Sequence, residues 1–139
     1  MTHPIRLLVC GSRHWTDREA IRAELVRQAL PPGSVVIHGA ARGADTLAGE
    51  VAREMGLAVE EYPADWSQGK KAGPLRNERM VRECRPDRAV GFTTDLQASV
   101  GTRDCLRRAY QAGVPVRVVG QVGGVVEWVK GPDGKPVKP

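Results

Sequence analysis

Apolar residues along this chain fall into short continuous runs that alternate with segments of helical period. Residues 5–10, Ile5-Arg6-Leu7-Leu8-Val9-Cys10, predict a buried strand that ends at Gly11. Thr16-Asp17-Arg18-Glu19 has the form of a capping box, a hydroxyl at the N-cap and a carboxylate three residues on. It predicts a helix over about 17–30, with Ile21, Leu25 and Ala29 on one face and Pro31-Pro32-Gly33 as its stop. A second strand is predicted over 34–38, followed by the small-residue turn Gly39-Ala40-Ala41-Arg42-Gly43. A helix over about 45–55 then places Leu47, Val51 and Met55 at four-residue spacing. Gly56 ends it, and 57–62 reads as a third strand.

Residues 63–73 form the longest predicted loop, and Pro74 suits the first position of a helix running to about Cys84. A fourth strand over 87–92, a helix over about 102–112 ended by Gly113, and a fifth strand over 114–119 complete the alternation. Residues 120–124 read as a flexible link, 125–129 as a sixth, edge strand, and 131–139 as a disordered tail. Strand–helix alternation at this spacing predicts an α/β fold: right-handed βαβ units in a doubly wound, mainly parallel sheet of about five strands, with helices on both faces. The expected organisation is one domain over 1–129 and a flexible basic tail over 130–139. Ligands of such sheets bind beyond the carboxyl ends of the strands, so the loops after the strands are where chemistry is expected.

Composition narrows the function classes. With 139 residues, 41% hydrophobic and 27% charged, the chain is long enough for one packed domain, and disorder throughout is excluded. No apolar run approaches the ~20 residues of a membrane span, and the start lacks the long apolar stretch of a secretory signal, so the expected compartment is the cytoplasm. Cys10, Cys84 and Cys105 lie far apart without CxxC spacing and read as reduced core thiols rather than a disulfide frame or zinc site. No metal and no cofactor is called for. The net charge of +5, carried mostly by arginine, suits an anionic ligand without forming a dense basic stripe.

Four loops carry unusual residues. Gly11-Ser12-Arg13 after the first strand either cradles a phosphate or makes a tight strand-to-helix turn. The run from His38 to Asp45 is so small that it either packs backbone on backbone or makes room for a ligand. In it Asp45 either contacts that ligand or caps its helix, and His38 reads as a hydrogen-bonded histidine. Asn77 begins the apolar face Met80, Val81, Cys84, and Arg76 beside it sits in a first helical turn, where the macrodipole disfavours a cation. Both fit an anionic ligand; a salt bridge for Arg76 and backbone partners for Asn77 are the competing account. Ser99-Val100-Gly101-Thr102 opens the last helix as either a phosphate cradle or a plain N-cap. Lys70 and Lys71 are placed to close over phosphates, and Trp66 to stack on a base or plug a core edge. The chain has no GxxxxGK[ST], GxSxG or HExxH motif, which removes the usual ATPase, serine-hydrolase and zinc-protease readings.

The ordered set Gly11-Ser12-Arg13, Thr16-Asp17, His38-Gly39-x-Ala41-Arg42-Gly43-Ala44-Asp45, Ala64-Asp65-Trp66, Gly73-Pro74-x-Arg76-Asn77-x-x-Met80 and Gly101-Thr102 resembles the YspA/YpsA-related branch of the SLOG superfamily. The resemblance covers about residues 5–119. It implies a Rossmann-like fold and a pocket for a nucleotide or nucleotide-derived ligand of the AMP, ADP-ribose or NAD kind, bound by a sensor or a nucleotide-processing protein. Carried onto this chain, the ligand-binding residues are Gly11, Ser12, Arg13, Gly39, Arg42, Gly43, Asp45, Trp66, Lys70, Arg76, Asn77, Ser99, Gly101 and Thr102.

LOG-type relatives in the superfamily are phosphoribohydrolases, which cleave the N-glycosidic bond of nucleoside monophosphates. They pair an arginine in Arg-Lys-x-x-Met with a glutamate after Pro-Gly-Gly-x-Gly-Thr. Here Arg76-Asn77-x-x-Met80 matches the first element in part, while Gln97-Ala98-Ser99-Val100-Gly101-Thr102 lacks the Pro-Gly-Gly. Cys105 stands where the glutamate would be, with Asp104 one position early. A one-residue shift on a helix turns a side chain by roughly 100°. Under this alternative the catalytic residues are Arg76 with Asp104, or with Asp45 or Asp65 in its place. The LOG analogy also extends to a homodimer. A DprA-type nucleic-acid module ranks last, because three tryptophans, two tyrosines and one phenylalanine leave little for base stacking.

Overall fold

The computed structural model describes residues 3–120, 124–130 and 136–137. Strands β1 (Arg6–Gly11), β2 (Val35–His38), β3 (Ala58–Glu61), β4 (Arg88–Phe92) and β5 (Val116–Val119) are all parallel and lie in the order β3-β2-β1-β4-β5. Helices α1 (Arg18–Arg27), α2 (Ala44–Glu54), α3 (Ala72–Cys84) and α4 (Val100–Gln111) connect them. The chain runs outward from β1 through β2 to β3, then returns across to β4 beside β1. That reversal makes the carboxyl ends of β1 and β4 the topological switch point of a Rossmann-like sheet. Strand β6 (Val125–Lys130) continues the sheet antiparallel to β5, and β7 (Pro136–Val137) pairs with β6. The rest of the expected tail, and residues 121–123 of the expected link, lie outside the described residues.

Alternation along β1 divides the core. Leu8 and Cys10 face α3 and α4, packing with Ile37, Met80, Cys84, Cys105 and Leu106. Leu7 and Val9 face α1 and α2, packing with Ile21, Leu25, Ala48 and Val51. The three cysteines are buried free thiols, and Trp15 tilts against Phe92 at 5.6 Å between ring centroids. No helix among the described residues is long and apolar enough to cross a membrane.

Several boundaries differ from the predicted ones, among them the start of β5, at Val116 rather than 114. The N-cap of α1 is Asp17, whose carboxylate accepts the Ala20 N–H at 3.0 Å, rather than Thr16. A carboxylate one residue on serves the same orphan amides and brings a negative charge to the dipole as well. Helix α1 ends at Arg27, leaving Ala29 exposed in a left-handed conformation (φ 51°) instead of on the buried face. Helix α3 begins two residues before Pro74, and α4 begins at Val100 rather than Thr102. A short 3-10 segment (Trp66–Lys71) occupies part of the predicted loop.

Candidate functional site

A cleft of about 490 Å³ opens at the switch point, between the ends of β1 and β4 and the first turns of α2, α3 and α4. Its wall includes Gly11, Ser12, Arg13, Asp45, Arg76, Asn77, Ser99, Gly101 and Thr102, all expected at the site and drawn from four separate loops of the sequence. His14, Thr93, Thr94, Asp95, Cys10 and Cys105 line it too. A Cβ on Gly11 would come within 2.5 Å of both the Ala44 Cβ and the Phe92 carbonyl, so this glycine serves the close packing of β1, β4 and α2. A second groove of similar volume lies between the C-terminal halves of α3 and α4, beside Val81, Arg85 and Val114, away from these groups.

Asp45 is buried, yet it does not cap its own helix. The N-cap of α2 is Gly43, and the first helical amide, on Ala44, goes to the Ser12 carbonyl at 3.1 Å. Asp45 Oδ2 instead reaches back to the loop before it, accepting the Gly39 N–H at 3.0 Å and the Ala41 N–H at 3.4 Å. Between them Ala40 has φ 59° and gives its N–H to His38 Nδ1 at 2.9 Å. His38 is thus a hydrogen-bonded histidine. Its Nε2 is buried without a hydrogen bond among the described residues, 3.7 Å from Glu61, and burial holds its pKa below the usual range.

Burial lifts the Asp45 carboxyl from 3.8 to about 6, against the pull of Arg76, the two amides and Arg13. The folded state therefore holds this proton more tightly than the unfolded chain does. The resulting stabilisation is full below about pH 4 and is lost as pH rises through about 6. At neutral pH the loss is about 3 kcal/mol. Asp45→Asn keeps an oxygen for the two amides and removes the charge. It is expected to raise stability at pH 8 by about 1–2 kcal/mol and to change little at pH 4.5. Thermal denaturation of both proteins at the two pH values checks this; an equal difference at each would count against a charged, buried Asp45.

Arg76 and Asn77, neighbours on α3, reach different walls. The Arg76 guanidinium lies over Gly39, where a Cβ would collide with it, and Nη1 donates to the carbonyls of Gly39 and Tyr62. Its Nε donates to Asn77 Oδ1 at 2.8 Å, and Nη2 has no partner among the described residues. Asn77 Nδ2 donates to the Gly101 carbonyl at 3.3 Å and to Asp104 Oδ2 at 3.0 Å, tying α3 to the first turn of α4. Asp104 does not line the cleft. Its carboxylate is held by Asn77 and by Arg108 one helical turn on, at 2.9 Å.

The start of α4 faces the cleft with no side-chain cap and no acidic residue in its first turn. Ser99 Oγ is engaged with Thr93 Oγ1 at 2.5 Å rather than with the helix amides. Thr102 is 5% exposed and its methyl is directed at Gly91 of β4, while its hydroxyl has no hydrogen bond to the described residues. In place of Pro-Gly-Gly, Asp95 shapes the preceding loop, its Oδ1 accepting the Ala98 N–H at 3.2 Å.

Other expected site residues stand apart from the cleft wall. Gly39 sits beneath the Arg76 guanidinium, and Gly43 (φ 82°) lets α2 start against the Ser12 carbonyl. Arg42 and Lys70 are exposed and outside the lining. Asp65 caps the 3-10 segment through Ser67. Trp66 is 55% exposed, and Arg13 stacks over its ring at 5.6 Å, so the tryptophan reaches the cleft through that arginine. Cys10 and Cys105, which the sequence marked only as core thiols, form the floor. The neighbouring Cys105 thiol, with burial, pushes the Cys10 thiol well up, so it is no nucleophile.

Comparison with known proteins bears on this architecture. Residues 5–69, which carry β1, the loop after it, β2 and the Asp45 loop, match the model of the YspA, cpYpsA-related SLOG family. The chain is also similar to the Gene 61 protein of Mycobacterium phage D29, 48% identical over 121 residues, covering 80% of this chain and 93% of the phage protein. The switch-point cleft, the family match and the near-full-length relative agree: the chain belongs to the YspA, cpYpsA-related SLOG family.

Proposed function

We propose that the cleft binds a nucleotide or nucleotide-derived ligand, with its phosphate at the start of α4 and Arg76 as counter-ion. Membership of the SLOG family suggests a nucleotide-related role. The observation that carries the finer reading is the α4 N-terminus: uncapped, free of acidic residues in its first turn, and flanked by the Thr102 hydroxyl, which has no hydrogen bond to the described residues. Free helix amides and an inward hydroxyl are what a phosphate oxygen accepts from. Helix α2, which also opens on this cleft and has Gly43 at its N-cap, is supplied internally by the Ser12 carbonyl and carries Asp45, so it repels an anion. A nucleic-acid surface is less favoured, because Arg6, Arg18, Arg22, Arg53, Arg79, Arg82, Arg108 and Arg117 are all paired with carboxylates.

The test is titration calorimetry with AMP, ADP-ribose and NAD. Thr102→Val, which keeps the shape and removes the hydroxyl, is expected to weaken binding about tenfold with the melting temperature held or raised. Full affinity in this variant would remove the phosphate from α4. A proton NMR time course of the same mixtures separates binding from turnover. Loss of the anomeric signal with release of free base would assign phosphoribohydrolase chemistry, and Asp45, on the cleft wall, would be the carboxylate to replace before Asp104.

A further inference from the structure

We infer that Asp45 accepts a hydrogen bond from a ribose hydroxyl of the bound nucleotide through Oδ1, making the site selective for ribonucleotides over deoxyribonucleotides. This rests on the nucleotide reading above and adds the sugar to it. The two carboxylate oxygens of Asp45 are treated differently. Oδ2 takes both loop amides, and Oδ1 takes no hydrogen bond from the described residues, although the residue is only 4% exposed and stands on the cleft wall.

The loop that produces this asymmetry is held from three sides. Asp45 binds the amides of Gly39 and Ala41, His38 binds the amide of Ala40, and Arg76 binds the carbonyl of Gly39. Ala40 is kept in the left-handed region, which is unfavourable for an L-residue with a side chain. Helix capping does not account for it, since the Ala44 amide is supplied by Ser12. What the arrangement yields is one oxygen fixed and one presented.

An ionised carboxylate only accepts, so its ligand must donate. Phosphate oxygens do not donate at neutral pH, whereas sugar hydroxyls do. Asp45 follows β2 and the phosphate cradle follows β4, with the end of β1 between them. A nucleotide anchored by its phosphate on α4 and lying across β1 brings its sugar, the next group along, toward Asp45. A ligand seated in the cleft shuts water off from this oxygen, which makes a missing donor costly; that is how a polar site rejects an analogue lacking a hydroxyl.

Calorimetry on the full chain with AMP, 2′-deoxy-AMP, 3′-deoxy-AMP and IMP tests the assignment. AMP is expected to bind about tenfold or more tightly than at least one deoxy analogue, with IMP close to AMP. In Asp45→Asn the oxygen stays on the loop amides and an NH2 donor faces the cleft, so the ribose preference should fall several-fold while the protein still melts cooperatively. Equal affinity for AMP and both deoxy analogues overturns the inference and leaves the nucleotide reading standing. So does a preference unchanged in Asp45→Asn. Discrimination of AMP from IMP larger than that of ribose from deoxyribose moves Asp45 to the base and also overturns it. No binding by AMP, ADP-ribose or NAD removes both readings together.

Discussion

Glu24→Ala is expected to destabilise the protein by about 3–5 kcal/mol, among the largest losses available to a single polar substitution. Glu24 lies on the buried face of α1 and is 5% exposed. Both its oxygens accept from Arg117 of β5, each at 3.0 Å, and Oε2 also accepts from Gln28 Nε2 at 2.7 Å. Gln28 in turn takes Arg88 of β4 on its carbonyl and side-chain oxygens, at 2.9 and 3.0 Å. Removing the carboxylate takes two charge-assisted hydrogen bonds from a guanidinium that is itself only 14% exposed, and one from the buried Gln28 amide. The loss comes from desolvated donors left short of an acceptor more than from the value of the pair, so Glu24→Leu combined with Arg117→Met should recover part of it. Urea unfolding of the two proteins distinguishes these cases. A single variant within about 1 kcal/mol of the parent would mean that water and the groups around Arg117 make up for the lost carboxylate.

The largest effect on binding is expected from Arg76→Ala, a loss of about 100-fold in affinity for the nucleotide that binds the parent best. Two causes act together. The counter-ion disappears, and the Gly39 and Tyr62 carbonyls lose the donor that fixes the loop below Asp45. Arg76 also opposes the upward push of burial on Asp45, so its removal should carry that carboxyl above about 6 and leave more of it protonated at neutral pH. Arg76→Lys restores the charge without the planar fork and should recover only part of the loss. Calorimetry measures the affinities, and unchanged binding by Arg76→Ala would take the arginine out of the site.

The sheet and its helices were legible because buried strands and amphipathic helices write their periods into neighbouring residues. The cleft was legible in outline for a related reason: small residues and helix openings fell in successive loops after parallel strands, and such loops meet at one edge. Side-chain direction in those loops carries no period. Arg42 and Lys70 therefore read as ligand contacts and are exposed, while Thr93 and Asp95 looked ordinary and line the wall. Asp104 turned on a boundary. Reading Gly101 as loop started α4 two residues late, whereas the helix from Val100 sets Asp104 against Asn77 and Arg108. The Glu24 cluster had only a faint local mark, two polar residues four apart beside Ile21 and Leu25. Its arginine partners lie 60 and 93 positions away, beyond the reach of any local pattern.

The contact between Arg76 and Gly39 makes two positions, 37 apart in the chain, into one unit of inheritance. Any side chain at position 39 would occupy the space of the guanidinium, and a shorter residue at 76 would leave a void over a glycine whose carbonyl has lost its donor. Neither can drift alone. A lineage that abandons this arginine is free to replace the glycine soon after, and one that retains the glycine has reason to retain the arginine. Among relatives of this chain the two should be kept or lost together.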